Sequence, residues 1–476
     1  MKIRIFSCRR FNNWNVNLNM KGFRPLDFGA RDNSTQVDAH PKFPSAVILG
    51  AEDFAPLRRG VLDLRGQTPK IVLDALEIED GIQQLCDTYF VSIHRWLPIL
   101  SKKRLTQNLH DSPIEVNPVV ALLLICMKAV MQRPEGDNLQ TPLYRIAKDF
   151  LSYTEDSGSI SLPILQAAIL VSVYEISHGI HPAGFLSVSH TCQLGTIMGL
   201  HNRQHAMRLF KESDTWTLRE EERRTWWAVL LLDRYVHSGT NGFPLFTCEP
   251  LQSDLLPCDA ESWDEGLIGS NEPLYASNPV ASVPGDQFAT VCRAAHILGR
   301  VLRHRDDYIL GVSDKLLEAG QLHRALLSFE ASFIDHTPTD GSKQSHLSRA
   351  ICYSARLILF GIYACNERYG DYRLGQETDM QKTALGGLAT VTLAVSKMAQ
   401  QLQHDISVNL EAVSPLSLHC IYLALGECAW FVREDRSDEM KEAMDLLLYV
   451  LRSVGPRWRV CADEYLRLFE AGDGSD

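Results

Sequence analysis

None of the 12 cysteines in this 476-residue chain stands in a C-x-x-C pair. No zinc site of that spacing can be built from them, and many lie inside apolar helical runs, as free core thiols do in a reducing compartment. Basic side chains are outnumbered as well, 47 Lys and Arg against 58 Asp and Glu, for a formal net charge of −11. That balance excludes a polycationic coat for nucleic acid or an acidic membrane, though not a local basic patch. The longest unbroken apolar run, Val119 to Met127, falls far short of the roughly 18 residues of a membrane span. No membrane partner is expected. The alternating pattern of strands is scarce, confined to short runs at Ile3–Phe6 and Ala46–Leu49.

The common catalytic signatures are missing too: no P-loop, G-x-G-x-x-G, H-E-x-x-H or G-x-S-x-G occurs. Three partial patterns remain. His201 and His205 are four apart and would share a helix face, but Asn202 stands where a zincin has its glutamate. Asp306–Asp307 begins a D-D-x-x-D magnesium box that Leu310 fails to complete. His178 and His181 flank Gly179 at a helix end and read as a turn. All three are read as structural, with no metal site and no catalytic residue expected.

What is present is helix. The chain is 45% hydrophobic and 22% charged, which fits a globular body. Leu347, Ile351, Ala355, Ile358, Ile362 and Cys365 recur at steps of three and four, as do Leu322, Leu326, Phe329 and Phe333. Met444, Leu447, Leu448, Leu451 and Val454 form a stripe closed by Gly455–Pro456, where the glycine is expected to take a left-handed turn. Residues 1–74 lack a sustained period and are expected to be irregular and largely disordered, with no apolar segment of the secretory kind. Residues 266–286, rich in Gly, Ser, Asn and Pro, form the longest interruption and read as a loop between a first helical stretch, 75–265, and a second, 287–470, packed on it. The fold class is all-α.

Four segments in order carry a further pattern. CDTYFVSIHRWLPIL (86–100) holds Tyr89, Phe90, His94 and Trp96; ISLPILQAAILVSVYEISHG (160–179) opens an apolar helix with Leu165–Gln166–Ala167. SHTCQLGTIMGLH (189–201) closes a helix at Gly199–Leu200–His201, and EEERRTWWAVLLLDRYVHSGTNGFPL (220–245) carries Arg-Arg-x-Trp-Trp and Leu-Asp-Arg clusters. Together these resemble the fungal-specific transcription factor domain, the middle homology region of binuclear zinc-cluster regulators. The motifs cover about 80–265. On physical grounds Trp226, Trp227, Leu230, Leu231 and Tyr235 occupy more than one face of their helix, which should be buried nearly all round. A pocket among helices 160–179, 183–201 and 219–238 is the candidate effector or partner site, with Arg223, Trp226, Trp227 and Asp233 as its contacts.

The resemblance implies a nuclear regulator of a metabolic or biosynthetic gene set, working with the transcription machinery, with a small-molecule effector and homo- or hetero-oligomers as partners. Members of that family bind zinc through an N-terminal six-cysteine cluster that reads DNA. Here only Cys8 precedes residue 86, so no zinc cofactor is expected in this chain. DNA contact would then come from a partner or from a cluster encoded upstream of the stated start. Phe243 and Gln193 also stand where the family often has arginine. The alternatives are an interaction protein that modulates a zinc-cluster factor, or an all-α enzyme of terpene-synthase type.

Overall fold

A computed structural model describes residues 66–202, 213, 215–275, 287–334, 346–364 and 375–473. Among them are 16 α-helices and no strand, only an isolated bridge between Leu255 and Pro273. The all-α expectation holds; the β-like runs at Ile3–Phe6 and Ala46–Leu49 lie outside the described residues. The first helix, α1 (Lys70–Leu76), starts just inside the segment expected to be irregular, directly after Pro69.

Helices α2 (Ile78–Val91), α3 (Lys102–Asp111), α4 (Pro118–Met131), α5 (Pro142–Asp156), α6 (Leu162–Ser177), α7 (Ala183–Ile197), α8 (Trp216–Ser238) and α9 (Ala260–Glu265) follow. Several begin where a short polar side chain accepts from an otherwise orphaned backbone N–H: Asn117 from Val120, Thr141 from Tyr144, Thr215 from Leu218. Proline at the first position of α4 and α5 sets the helical φ at no hydrogen-bonding cost. Beyond residue 286 come α10 (Gln287–Asp306), α11 (Val312–Ile334), α12 (His346–Ala364), α13 (Gly375–Asn409), α14 (Leu418–Asp435), α15 (Asp438–Val454) and α16 (Leu466–Asp473).

Packing runs as a relay. Helix α4 lies on α6, α6 on α7, α7 on α8, α8 on α10, α10 on α12, and α12 on α13, with α14 and α15 closing the far side. The central members are apolar on all faces: every residue of α6 except Pro163 is buried, in a segment with a single charge. One continuous hydrophobic cluster reaches from Val72 to Phe469. Two stretches, His346–Ala364 and Pro415–Asp435, are long and apolar enough by composition to cross a bilayer, but 78% and 56% of them is buried against other helices. Their apolarity is that of core helices.

The end of α15 corrects one expectation. Gly455 has φ −48, not a left-handed value. A β-carbon there would lie 2.8 Å from that of Ala462, so the glycine is required by the close approach of the chain after the turn. That turn carries Arg457, which is fully buried. It donates to the carbonyl oxygens of Val130 (3.0 Å) and Gln132 (3.4 Å), pairs with Glu411 at 2.5 Å, and lies 3.5 Å from the centroid of the Trp458 ring. The C-terminal part of the chain thus closes the end of α4.

His178, buried between Tyr174 and Trp458, sits in the field of this cation. Burial, then the charges of Arg457 and Arg459, push its imidazole down to about 3. An unfolded chain takes up that proton near ~6.5, so the group makes stability fall as the pH drops from there toward 3. His178→Gln should therefore flatten the loss of urea-unfolding free energy between pH 6.5 and 4. An acid limb as steep as that of the parent chain would show that His178 is protonated in the folded state.

Candidate functional site

Helix α8 begins with Trp-Thr-Leu-Arg-Glu-Glu-Glu-Arg-Arg, and from Glu220 to Ser238 most of its residues are buried. Charges placed there need partners, and the structure supplies them from two loops. The Glu220 carboxylate accepts from Arg224 Nε (3.0 Å), Cys258 N (2.9 Å) and Asn271 Nδ2 (2.9 Å), and pairs with Arg223. Arg224 also donates to the carbonyl of Cys258 at 2.7 Å and lies 4.9 Å from the Trp263 ring centroid. Glu221 accepts from Ser101 N (3.0 Å) and Gln166 Nε2 (3.3 Å) and pairs with Arg104. Gln166 in turn donates to the carbonyl of Ile99 at 2.7 Å. The acidic-basic run thereby fixes the loop before α3 and the loop around α9.

The two tryptophans come next. Trp226 packs into the space left by Gly195 of α7, where a β-carbon would stand 2.7 Å from its ring. Trp227 donates its indole N–H to the carbonyl of Leu255 at 3.0 Å. Further along, Asp233 accepts from Phe246 N (3.1 Å), Thr247 N (2.9 Å) and Thr247 Oγ1 (2.6 Å), and pairs with Arg234 and with His237. Burial opposes its ionisation, but the hydrogen bond from His237 and the Arg234 charge, with those of Thr247 and Phe246, hold the carboxyl below the usual range. Arg234 reaches across to α10, against Gly299, where a β-carbon would meet its Nε at 2.6 Å.

The four residues chosen from the sequence thus lie on one helix and not around one point. Arg223 and Asp233 are ten residues apart, about 15 Å along the axis. Arg223 keeps 13% of its side-chain surface exposed; Trp226 and Trp227 are 9% and 3% exposed, and Asp233 is fully buried. Gln193 and Phe243, the two positions where arginine is common, are both exposed. Asp306 accepts from Arg305 and from Gly242 N, and Asp307 from Ile309 N and Leu310 N, so both carboxylates of the partial magnesium box face donors of their own chain. Among the described residues no group of three or more His, Cys, Asp or Glu is placed to hold a metal; His205 lies outside them.

A cavity of about 570 Å³ opens beside this network. Glu249, Tyr275, His296, Arg300, Arg303 and Glu318 supply its polar wall, with Pro250 and Leu251 beside them. His296 Nε2 meets the Tyr275 hydroxyl at 2.9 Å, its Nδ1 faces Glu249 at 2.5 Å, and Glu249 also pairs with Arg303. Burial and the cations Arg300 and Arg234 favour the neutral ring, while the facing carboxylate favours the charged one. None of these residues was singled out from the sequence. The signal available was His296, Arg300 and Arg303 at steps of four and three, a polar stripe along an otherwise apolar helix.

With this geometry in place, the comparisons decide the family. Residues 86–319 match the sequence profile of the fungal specific transcription factor domain. The chain is 37% identical over 183 residues to Transcription factor BOA15 of Botryotinia fuckeliana, an alignment covering 38% of this chain and 89% of that protein. The chain belongs to the fungal-specific transcription factor domain family. It is also 28% identical over 194 residues to the Pigment biosynthesis transcriptional activator pigB of Monascus ruber, covering 38% of this chain and 34% of the relative. With the Ascochitine biosynthesis cluster transcriptional regulator of Didymella fabae it shares 22% over 236 residues, 47% of this chain and 41% of that one. It spans well under half of these last two relatives. The family match covers all of α8 and the cavity wall, and a terpene-synthase reading gains nothing from any of these relatives.

The α8 network generates a graded prediction. Trp227→Ala should cost about 3–5 kcal/mol of unfolding free energy, as for other large core aromatics. Arg224→Ala leaves Glu220 buried with a donor missing and should cost about 3–5 kcal/mol. Arg223→Gln leaves Glu220 its bonds from Arg224, Cys258 and Asn271 and keeps an amide donor at the partly exposed edge, so it should cost less, about 1–2 kcal/mol. Urea melts of the three variants check the order; equal losses for Arg223 and Arg224 would contradict it.

Proposed function

We infer that this chain is the helical regulatory domain of a nuclear transcription regulator that controls a fungal metabolic or biosynthetic gene set. The observation that carries this reading is the family match over residues 86–319, on which the relatives named for pigment and ascochitine biosynthesis bear. The domain acts without catalysis of its own. In this reading Trp226, Trp227 and Asp233 form the frame that holds α8 against its loops, and Arg223, with its exposed edge, is the one of the four that reaches a partner. DNA is read by a zinc cluster or by a partner chain, since a molecule of net charge −11 offers little of the phosphate neutralisation that drives non-specific affinity. The effector is a small molecule, taken up where the fold leaves room for one, and association with a second copy or another regulator brings the domain to its promoters.

Two measurements test the reading. Tethered to DNA through a foreign binding domain in a fungal host, the chain should change reporter transcription under at least one growth condition. A tethered fusion that neither activates nor represses under any of them would sink the proposal. The isolated chain should give no competitor-resistant gel shift on promoter fragments at physiological salt, and a sharp specific shift would overturn the division of labour with a DNA-reading partner.

A further inference from the structure

We propose that the cavity between the 249–252 loop, Tyr275, α10 and the first turns of α11 is a binding site for a small organic molecule with one carboxylate, anchored by Arg300. The inference rests on the regulatory reading above and gives the effector a chemical class and an address. Its volume of about 570 Å³ lies inside the roughly 300–1,000 Å³ range of small-ligand sites.

Charge accounting on the wall selects the ligand. Arg303 is paired with Glu249, and Glu318 accepts from His304 Nδ1 at 2.7 Å. Arg300 lines the same wall, near enough to His296 to bias its protonation, and no ion pair joins it to a carboxylate among the described residues. A half-buried guanidinium of that kind is a ready partner for a planar anion, which it can hold through two parallel N–H bonds. The carboxylates of Glu249 and Glu318 stand close by, so a dianion such as a phosphate monoester would meet two like charges, whereas one negative charge would not exceed what Arg300 offers. Pro250, Leu251 and the Tyr275 ring give the ligand's body an apolar surface.

The site is also mechanically placed. Glu249 follows Cys248, whose carbonyl accepts from Arg234 Nη2 at 3.4 Å, and Thr247 before it is held by Asp233. A carboxylate entering beside Arg300 competes with Glu249 for Arg303 and for His296, and any shift of the 247–249 segment is felt at the Asp233–Arg234 pair of α8. Occupancy can therefore bias the central helix without touching it.

The test uses the full chain with benzoate, indole-3-acetate and decanoate, each beside its neutral primary amide, read by isothermal titration calorimetry and thermal shift. At least one carboxylate should bind, at least about tenfold more tightly than its amide, as expected for one charge-assisted contact. Arg300→Gln should abolish that preference, while Lys397→Gln, an exposed change of the same charge on α13, should leave it intact. Circular dichroism of Arg300→Gln should match the parent. Binding of no carboxylate, equal binding of acid and amide, or an unchanged preference in Arg300→Gln would each overturn the site. A silent tethered reporter with this preference intact would instead reject the regulatory reading and leave the carboxylate site standing.

Discussion

Glu220 is completely removed from solvent, and a buried carboxylate persists only where donors replace the water it has lost. The replacements here are drawn from Arg223, Arg224, the backbone of Cys258 and the side chain of Asn271. Because the last two belong to the loops that flank α9, the electrostatic need of one side chain sets the path of some fifteen residues. Glu221 does the same for the loop before α3, through Ser101 and Arg104. Asp233 repeats the device at the other end of α8, gathering Phe246 and Thr247. The helix is consequently an organiser of loops as much as a member of the core.

Shape completes what charge begins. Gly195 admits Trp226, Gly299 admits Arg234, and Gly387 admits the ring of Phe360, where a β-carbon would stand 2.4 Å from the nearest ring atom. Each is a helical glycine with an ordinary negative φ, retained at a position where a methyl group would collide with a large side chain from the next layer. Interiors packed at crystal-like density have no slack to absorb such a collision. The relay from α4 to α13 thus depends on a few positions where one helix is thinned to admit another.

Much of this was legible from the residues. Burial of α8 on nearly all faces follows from Trp226, Trp227, Leu230 and Leu231 in sequence, and the stop at Val454 follows from Gly455–Pro456. The reason for the glycine was misread, because a clash with Ala462 depends on chain that returns only after the turn. The loop partners of Glu220 and Glu221 were beyond reach for the same reason: Cys258, Asn271 and Ser101 carry no periodicity that would mark them. The cavity at Arg300 is harder still. Its wall comes from a loop, a single tyrosine and two helices far apart in the chain, and only the spacing of His296, Arg300 and Arg303 hints that one face of α10 is polar. Local patterns report which faces are apolar; they say little about where those faces leave a gap.

Arg457 donates to the carbonyls of Val130 and Gln132, acceptors more than three hundred residues earlier in the chain. On the ribosome, the end of α4 must wait for these donors until more than three hundred further residues have been made. The first helical layers cannot reach their final packing one after another as they emerge, as independent domains do. Completion of α4 is thereby tied to the arrival of a segment made long after it, and the two ends of this helical body finish folding together.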